Sequence, residues 1–326
     1  MISSKSAFKS SDNHTTIAFY NVENLFDTVN DPLTADDDFT AEGKKRWTNK
    51  RYQIKIRKLG SVISKLGLTQ SKHLPAIIGL VEVENAKVVS DLANSSYLKK
   101  GHYGYVHYDS PDERGIDVAL LYSKIAFELI DATTYPVFLE DKNGARDYTR
   151  DVLKVSGNLH GELIHILINH WSSRREGIAE SEPKRIEAAQ TNRNIIHLIR
   201  EKEIHPKIII MGDFNDNPIN VSVSEHLVKY DFFNPMKNLL EKEKLGSLTY
   251  NGKWNLFDQI IFSKNFLKAN NNGFYFKHAE VFNKKWLKTF KGKYKDSPFR
   301  TYIGPWYKGG FSDHFPVYAF LQKHKS

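Results

Sequence analysis

Short apolar segments with the composition of β-strands recur along the whole chain, and they limit its fold more than any other feature. Residues 152–171 alternate apolar and polar side chains on both sides of Gly161, which predicts a β-hairpin. Residues 51–67 and 181–203 instead carry apolar side chains at helical spacing, which predicts amphipathic helices. Hairpins mixed with strand–helix units favour a layered α/β fold with mixed sheets over a purely parallel, doubly wound sheet. The other main predicted strands are 16–22, 74–83, 103–108, 116–123, 206–216, 255–263 and the segment that follows His314.

The domain organisation follows from what the sequence lacks. No linker-like stretch divides the chain and no internal repeat is visible. A length of 326 residues is ample for one large hydrophobic core. We therefore expect a single domain over residues 15–322, preceded by a polar, serine-rich and disordered tail at 1–14.

Composition excludes several chemistries and favours one kind of partner. The chain has no cysteine, so thiolate catalysis, disulfides and cysteine-based zinc sites are excluded. Lys and Arg number 47 against 38 Asp and Glu, a net charge of +9, which favours polyanions such as nucleic acid or anionic membranes, unless the excess is only a solvated surface. No apolar run is long enough to span a membrane. We expect the protein to be a monomer. No signal peptide is visible, so we expect a cytoplasmic protein, although trimming of the chain would leave secretion open.

Polar and acidic residues stand within or directly beyond the apolar strands. Taken one at a time, such residues are usually turn caps or solvent-facing side chains. Asp258 is harder to explain in that way, because it lies between Phe257 and Ile260, where burial of a free carboxylate is costly. The set comprises Asn21, Glu23, Asn24, Glu82, Glu84, Asn169, His170, Asp213, Asn215, Asp258, Asp313 and His314.

Carboxylates and amides gathered at one rim form an oxygen-rich pocket that suits Mg²⁺ or Mn²⁺. Zinc is disfavoured there, because the sequence contains no HExxH or comparable histidine cluster. An acidic metal pocket on a basic chain indicates phosphate chemistry, in which the charge field attracts the phosphate and the metal polarises it. His314, beside Asp313, could then act as acid, base or phosphate donor.

Six motifs in order resemble the endonuclease/exonuclease/phosphatase superfamily, the group of deoxyribonuclease I and the exonuclease III-like enzymes. They are "YNVENLF", "GLVEVEN", "LINHW", "MGDFND", "FDQIIFS" and "FSDHFPV", and the resemblance covers nearly all of residues 16–322. The segments "SPDERGIDVALLY" and "RTYIGPWYKGGFSDH" resemble a bacterial branch whose members mostly lack assigned substrates. The resemblance implies a four-layer α/β sandwich, with two mixed β-sheets packed face to face and helices outside.

The resemblance also implies roles for individual residues. Glu82 would be the principal metal ligand, and Asn21, Glu23 and Asp313 would lie in or near the metal shell, with Glu23 the least certain match because relatives vary there. The cofactor would be Mg²⁺ or Mn²⁺, with Ca²⁺ open as an accessory ion. The catalytic set would be His314, Asp213, Asn215, Asp258, the phosphate-binding His170 and, by a looser match, the phosphate-contacting Arg150.

The substrate is narrowed by two segments rich in basic and aromatic residues, 31–51 and 284–308. Basic side chains beside aromatic rings suit phosphate contact and base stacking, although a partly packed insertion would have the same composition. The prediction is a divalent-metal-dependent phosphodiester hydrolase, a nuclease of low sequence specificity that uses in-line attack by an activated water. The alternatives are a phosphatase or phosphodiesterase for inositol phosphates or phospholipid headgroups, and a catalytically decayed binding protein of the same fold.

Overall fold

The computed structural model describes residues 14–250, 252–267 and 273–323, and within them the chain forms an α/β structure. The helices are α1 (Asn49–Ile63), α2 (Leu68–Ser71), α3 (Ala86–Ala93), α4 (Ile178–Lys202) and α5 (Met236–Glu241). The strands are β1 (His14–Leu25), β2 (Ile77–Val83), β3 (Tyr103–His107), β4 (Asp117–Ser123), β5 (Phe127–Tyr135), β6 (Leu139–Glu140), β7 (Arg146–Asp147), β8 (Val152–Leu159), β9 (Glu162–His170), β10 (Ile208–Asp213), β11 (Phe232–Phe233), β12 (Leu248–Tyr250), β13 (Lys253–Asn255), β14 (Asp258–Ser263), β15 (Phe274–Val281), β16 (Tyr302–Ile303), β17 (Trp306–Tyr307) and β18 (Val317–Lys323).

Most of the strands pair into two large sheets. Within the described residues each large sheet has six strands, in the orders β15-β18-β1-β2-β4-β3 and β11-β14-β10-β9-β8-β5. In the first sheet β1 and β2 are parallel, and in the second β9 and β10 are parallel. The remaining neighbours in both sheets are antiparallel. The expectation of mixed sheets is confirmed.

The two sheets pack face to face, and their facing side chains form one continuous core. Gly79 of β2 lies against Met211 of β10, and a Cβ at this glycine would stand 2.5 Å from the Met211 sulfur. Helices α1 and α3 cover the first sheet, and α4 covers the second through a separate apolar cluster that includes Ile195 and Ile199. The helix–sheet–sheet–helix order confirms the four-layer sandwich.

The predicted element boundaries differ from the observed ones in ways that local capping explains. The helix predicted at 181–203 begins earlier, at Ile178, because Gly177 with φ +116° redirects the chain there. At the start of α3, the Asn85 side chain caps the helix by accepting the Val88 N–H at 3.1 Å.

Strand β1 begins at His14, and residues 1–13, most of the predicted tail, lie outside the described residues. The hairpin predicted around Gly161 is confirmed as the β8–β9 pair. In the part of the chain that the structure describes, no helix has the length and apolar character needed to cross a membrane.

Candidate active site

The sheet topology brings the predicted polar residues to one edge of the sandwich. Parallel strands end at the same edge, so β1 with β2, and β9 with β10, carry their C-terminal residues there. Strands β18 and β14 run antiparallel to these pairs and therefore begin at that edge. Asp213 lies directly between His170 on β9 and Asp258 on β14 in the register of the second sheet.

Glu82 and Asp213 come from different sheets and are joined by one buried amide. The Nδ2 of Asn21 donates to Asp213 at 3.0 Å and lies 3.4 Å from Glu82 Oε1. The backbone N–H of Asn24 donates to Glu82 Oε2 at 2.8 Å. The Nε2 of His170 stands 3.9 Å from Glu82 Oε1 and 4.0 Å from Asp213 Oδ2. Two carboxylates, an amide and an imidazole from four strands thus converge.

Glu82 reaches the cleft through an irregularity of the backbone. Its φ is +62°, and the pairing of β2 with β4 shifts register between Val81 and Val83, so Glu82 bulges out of the ladder. Asn24 and Asn215 at the same edge also have positive φ values. The left-handed region costs a non-glycine residue about 1–2 kcal/mol, and such strain is concentrated at functional sites.

His314 and Asp258 form a buried pair. The Nδ1 of His314 lies 2.6 Å from Asp258 Oδ2, and its Nε2 faces Asp213 Oδ2 at 3.9 Å. Burial disfavours the imidazolium, but the carboxylates of Asp258, Asp213 and Asp313 outweigh it and raise the pKa of His314 well above its ordinary value. His314 is therefore a positively charged donor at neutral pH. The costly position of Asp258 in an apolar segment is explained by this partner.

The pKa of Asp213 is raised by its surroundings. Burial, with a further contribution from the Asp258 charge, raises the pKa of Asp213 to about 7, against the opposing effect of His314. The N–H of Asn215 donates to Asp213 Oδ1 at 3.0 Å, which orients the carboxyl group. A carboxyl group that titrates near neutrality can accept a proton from a bound water.

His170 carries no charge at neutral pH. Burial, followed by the positive charges of Arg150 and Arg114, lowers the pKa of His170 well below its ordinary value. Its Nε2 faces the carboxylates of the cleft, whereas its Nδ1 is buried without a hydrogen-bond partner among the described residues. A neutral imidazole can donate from one nitrogen and accept at the other.

Glu23 was predicted to lie in or near the metal shell, but its carboxylate points away from Glu82. It accepts the Thr301 N–H at 2.6 Å and stands 3.7 Å from the ammonium of Lys55. Both side chains are buried, and Glu23 does not line the cleft. The structure therefore places Glu23 in a neighbouring charge network and not with the candidate metal ligands. Lys55 had no signal in the sequence beyond its position in a helix.

Asp313 lines the cleft, but a guanidinium group pairs with its carboxylate. Arg300 pairs with Asp313 Oδ2, and the other oxygen lies 4.0 Å from His314 Nε2. Burial opposes the charge of Asp313, yet His314 and Arg300 overcome it and lower the pKa of that carboxyl. The preceding backbone is tightly packed: a Cβ at Gly310 would collide with the Phe299 carbonyl oxygen.

Arg150 was predicted to contact phosphate, but it is buried behind the cleft. Its Nη1 donates to Asp112 at 2.8 Å and its Nη2 to the Trp171 carbonyl at 2.9 Å. The Nδ2 of Asn215 donates to the same carbonyl at 2.9 Å. Arg150 thus holds the backbone between His170 and Asn215, and its charge acts on His170 without reaching the cleft.

The cleft itself has a volume of about 390 Å³ and is lined by four arginines. Only Arg300 lies in a segment predicted to suit phosphate contact, and the other three were not predicted. A usable signal was present, because "SSRRE" follows His170 and Trp171 directly. Tyr250 and Tyr294 stand at its walls, about half exposed. The arginines that line it are Arg114, Arg174, Arg175 and Arg300.

The two basic and aromatic segments are only partly available to a ligand. Trp47 is buried and donates its indole N–H to the Phe26 carbonyl at 3.0 Å. Tyr302 is also buried, whereas Phe290 and Trp306 are largely exposed. Trp47 and Tyr302 are therefore packed and offer no ring face on which a base could stack, as in the alternative of a partly packed insertion.

The donor set of the cleft fits a divalent cation. Glu82 and Asp213 present carboxylate oxygens toward one another across Asn21, and burial raises the pKa of Asp213, which shows that negative charge there lacks full compensation. One donor atom each from Asp213, Asp258 and His314 also lie within 4.8 Å of one another. Asp258 Oδ1 is buried with no hydrogen-bond partner among the described residues.

A four-layer sandwich with an edge of carboxylates, imidazoles and arginines describes a class of protein that handles phosphate esters. The chain belongs to the endonuclease/exonuclease/phosphatase family, whose model matches residues 16–323. The resemblance in the motifs is thereby confirmed. Members of this family are phosphoric ester hydrolases.

Solved structures with the same fold differ in what their names state. An endonuclease/exonuclease/phosphatase family protein from Bacteroides thetaiotaomicron has a TM-score of 0.58 and 16% identity over 97% of this chain and 100% of its own. D. rerio TDP2 complexed with single strand DNA product has a TM-score of 0.56 and 15% identity over 95% of this chain and 100% of its own. A mannosyl-6-phosphatase from Bacteroides thetaiotaomicron has a TM-score of 0.55 and 16% identity over 94% of this chain and 99% of its own. No curated protein matches the chain in sequence.

Proposed function

We propose that this protein is a divalent-metal-dependent phosphodiester hydrolase that acts as a nuclease of low sequence specificity. The observation that carries the proposal is the meeting of Glu82, Asp213, His170 and the Asp258–His314 pair in one cleft with arginines at its walls. Carboxylates can bind a metal ion and accept a proton from water, whereas guanidinium and imidazolium groups can donate hydrogen bonds to a phosphate.

The proposed roles follow from position and charge. Glu82, with Asn21 beside it, would hold Mg²⁺ or Mn²⁺, and the ion when bound supplies positive charge that polarises a phosphoryl oxygen. Asp213, titrating near neutrality and oriented by the Asn215 N–H, accepts the proton of the attacking water. The water attacks phosphorus in line with the leaving oxygen, and the bond between phosphorus and that oxygen breaks.

Two histidines would bind the phosphoryl oxygens. The Asp258 carboxylate favours the protonated form of His314, and the imidazolium donates from Nε2 toward the oxygen on which negative charge develops. His170 donates from the other side of the cleft as a neutral imidazole. Arg150 keeps His170 and Asn215 in place through the Trp171 carbonyl, so we assign it a positioning role and no contact with phosphate.

The preference for nucleic acid rests on what surrounds these groups. Arg114, Arg175 and Arg300 can neutralise several backbone phosphates, and Tyr250 and Tyr294 offer ring faces on which bases can stack. The net charge of +9 acts in the same direction. A structural neighbour with bound single strand DNA product supports the same substrate class. We propose a monomeric, cytoplasmic enzyme, which gel filtration and cell fractionation would test.

A phosphatase for a small phosphate ester is the second candidate. The cleft volume of about 390 Å³ and its walls, which contain Tyr250 and Tyr294, suit a sugar or inositol phosphate. The mannosyl-6-phosphatase among the structural neighbours supports this candidate. A decayed binding protein is disfavoured, because Asp213 stands beside the hydrogen-bonded Asp258–His314 pair, so all three groups are present together.

One substrate panel separates these candidates. Supercoiled plasmid, single-stranded DNA, RNA, inositol phosphates, a sugar phosphate and phospholipid vesicles are each incubated with the protein in Mg²⁺, Mn²⁺ or EDTA. We expect cleavage of nucleic acid that requires the metal and is lost in Glu82→Gln and His314→Gln. Phosphate release from the small esters without any cleavage of nucleic acid would favour the second candidate. Cleavage that persists in EDTA or in both variants would refute the proposed mechanism.

A further inference from the structure

The loop between β3 and β4 carries a second group of metal-ligating side chains, away from the catalytic cleft. His107 ends β3, Asp117 begins β4, and Asp109 lies between them in the chain. The His107 Nε2 stands 3.5 Å from Asp117 Oδ2, and its Nδ1 stands 3.8 Å from Asp109 Oδ1. One donor atom from each of the three residues lies within 4.8 Å of the other two.

The His107 side chain is the observation that points to a ligand. It is only 2% exposed, and its Nε2 has no hydrogen-bond partner among the described residues. Asp117 is also buried, and its Oδ1 accepts from the N–H and the hydroxyl of Ser110. Its Oδ2 therefore remains turned toward the imidazole. A buried nitrogen without a partner is costly unless something binds it.

The surroundings favour a cation. Asp109 and Asp117 also line a cavity of about 710 Å³, and among the described residues that line it none is basic. The other acidic lining residues are Asp27, Asp31, Glu84, Asp112 and Glu113. On a chain with a net charge of +9, the carboxylates of this cavity other than Glu84 and the Arg150-paired Asp112 create a local negative field that attracts positive ions.

We propose that His107, Asp109 and Asp117 bind a transition-metal ion of the Zn²⁺ type. Imidazole together with two carboxylates is a donor set that suits zinc better than magnesium or calcium. Two ligands at about 2.0–2.1 Å from a tetrahedral zinc ion are roughly 3.4 Å apart, close to the observed separation of His107 Nε2 and Asp117 Oδ2. The Asp109 carboxylate lies beside the other ring nitrogen, Nδ1, but it is 86% exposed and would turn toward Nε2 to complete the site, with water as the remaining ligand.

The position of this site gives it a function. The loop that the ion would fasten carries Asp112, which binds Arg150, and Arg114, which lines the catalytic cleft. The Nη2 of Arg114 also donates to Asn24 Oδ1 at 2.9 Å. A metal that joins the two ends of the loop would therefore hold Arg114 in place. The ion itself takes no part in the hydrolytic step, so this inference is independent of the proposed substrate.

The test is a binding measurement that involves no catalysis. Untagged protein carrying Glu82→Gln, which weakens the catalytic ion, is freed of metal with a chelator, titrated with Zn²⁺ by calorimetry, and analysed for metal content after gel filtration. We expect one equivalent of Zn²⁺ to remain bound. Adding Asp109→Asn or His107→Gln should weaken its binding by at least tenfold, since each removes one of three protein ligands.

A matched control and a second readout complete the design. His197→Asn alters an exposed histidine that also faces a carboxylate, that of Glu201, and should leave Zn²⁺ binding unchanged. Zn²⁺ should raise the melting temperature of the Glu82→Gln protein but not that of the protein with Asp109→Asn added. Asp109 is exposed, so this variant will fold even if His107→Gln does not. Absence of a bound equivalent, or equal affinity in the Asp109→Asn variant, would overturn the proposal.

Discussion

The catalytic cleft and the acidic cavity beside the β3–β4 loop are both rich in carboxylates, but they differ in how those charges are balanced. In and behind the cleft, cationic groups stand beside the acids: His314 beside Asp258 and Arg300 beside Asp313. Around the cavity, Arg150 neutralises Asp112, while Glu84 has no cationic partner among the described residues.

This difference in balance predicts a difference in ligand. A surface with both signs of charge can hold a metal ion and a phosphate together, because each ligand meets its complement. A surface with only negative charge attracts cations and repels phosphates. The same residue types therefore suit the proposed hydrolysis in one place and the proposed cation binding in the other. The following substitutions test this comparison, beginning with the largest effect.

Removing the charged imidazole of the cleft should have the largest effect. We expect His314→Gln to lower kcat by about 10³-fold, since it removes a charged donor and leaves Asp258 without its partner. Steady-state kinetics with a nucleic-acid substrate measures this, and the melting temperature shows that the variant is folded. A folded variant that keeps more than a tenth of the activity would contradict the role of His314.

Breaking the charge balance behind the cleft should cost stability. Lys55→Met leaves Glu23 buried with only backbone N–H donors and the more distant Arg300, and we expect a loss of about 3 kcal/mol in the free energy of unfolding. Adding Glu23→Gln removes the uncompensated charge and should restore part of that loss. Urea denaturation of the two variants and the wild type provides the comparison. Equal stability of Lys55→Met and wild type would show that this pair does not balance the region.

Removing one positive charge from the wall of the cleft should weaken substrate binding modestly. We expect Arg175→Ala to raise KM for a nucleic-acid substrate by about 3–10-fold and to reduce the salt dependence of binding by about one phosphate contact. Arg57→Ala, at an exposed position on α1, is the matched control and should change neither quantity. An equal effect of the two variants would mean that only net charge matters.

The smallest effect concerns Glu84 in the acidic cavity. Burial, with further contributions from the charges of Asp27, Asp36 and Asp31, raises the pKa of Glu84 to about 8, against a hydrogen bond from the Asp27 N–H. The pKa of Glu84 is higher in the folded state than in the unfolded state. Its contribution to the stability of the fold is therefore complete below about pH 4.5 and is lost as the pH rises through 8.

Glu84→Gln should therefore flatten the dependence of stability on pH. We expect the melting temperature of the variant to exceed that of the wild type by a few degrees at pH 9 and to differ little at pH 5. Thermal unfolding across this range measures the difference. If the difference in melting temperature between the variant and the wild type were the same at pH 5 and at pH 9, the cavity charges would be balanced.

The strand patterns predicted a layered α/β fold with mixed sheets, and the resemblance in the motifs implied the sandwich, the family and most of the site residues, because strand patterns and short motifs are local features. The sequence also indicated that Asp258 needed a special partner, since an acid in an apolar strand is costly. It did not predict Arg114, Arg174 and Arg175 in the cleft, or the orientation of Glu23. A side chain's direction at a bulge or turn depends on backbone angles that periodicity does not reveal.

What the sequence determined by itself was therefore the set of groups and the strands that carry them. Which groups meet was decided by tertiary structure alone: Asn21 donates to Asp213, 192 residues away, because two sheets from distant parts of the chain share one edge. Arg150 and Arg175 show the same division. Both are basic residues near strand ends, yet packing buries Arg150 against Asp112 and leaves Arg175 in the cleft. Burial and pairing are properties of the assembled sheets, and no short segment contains them.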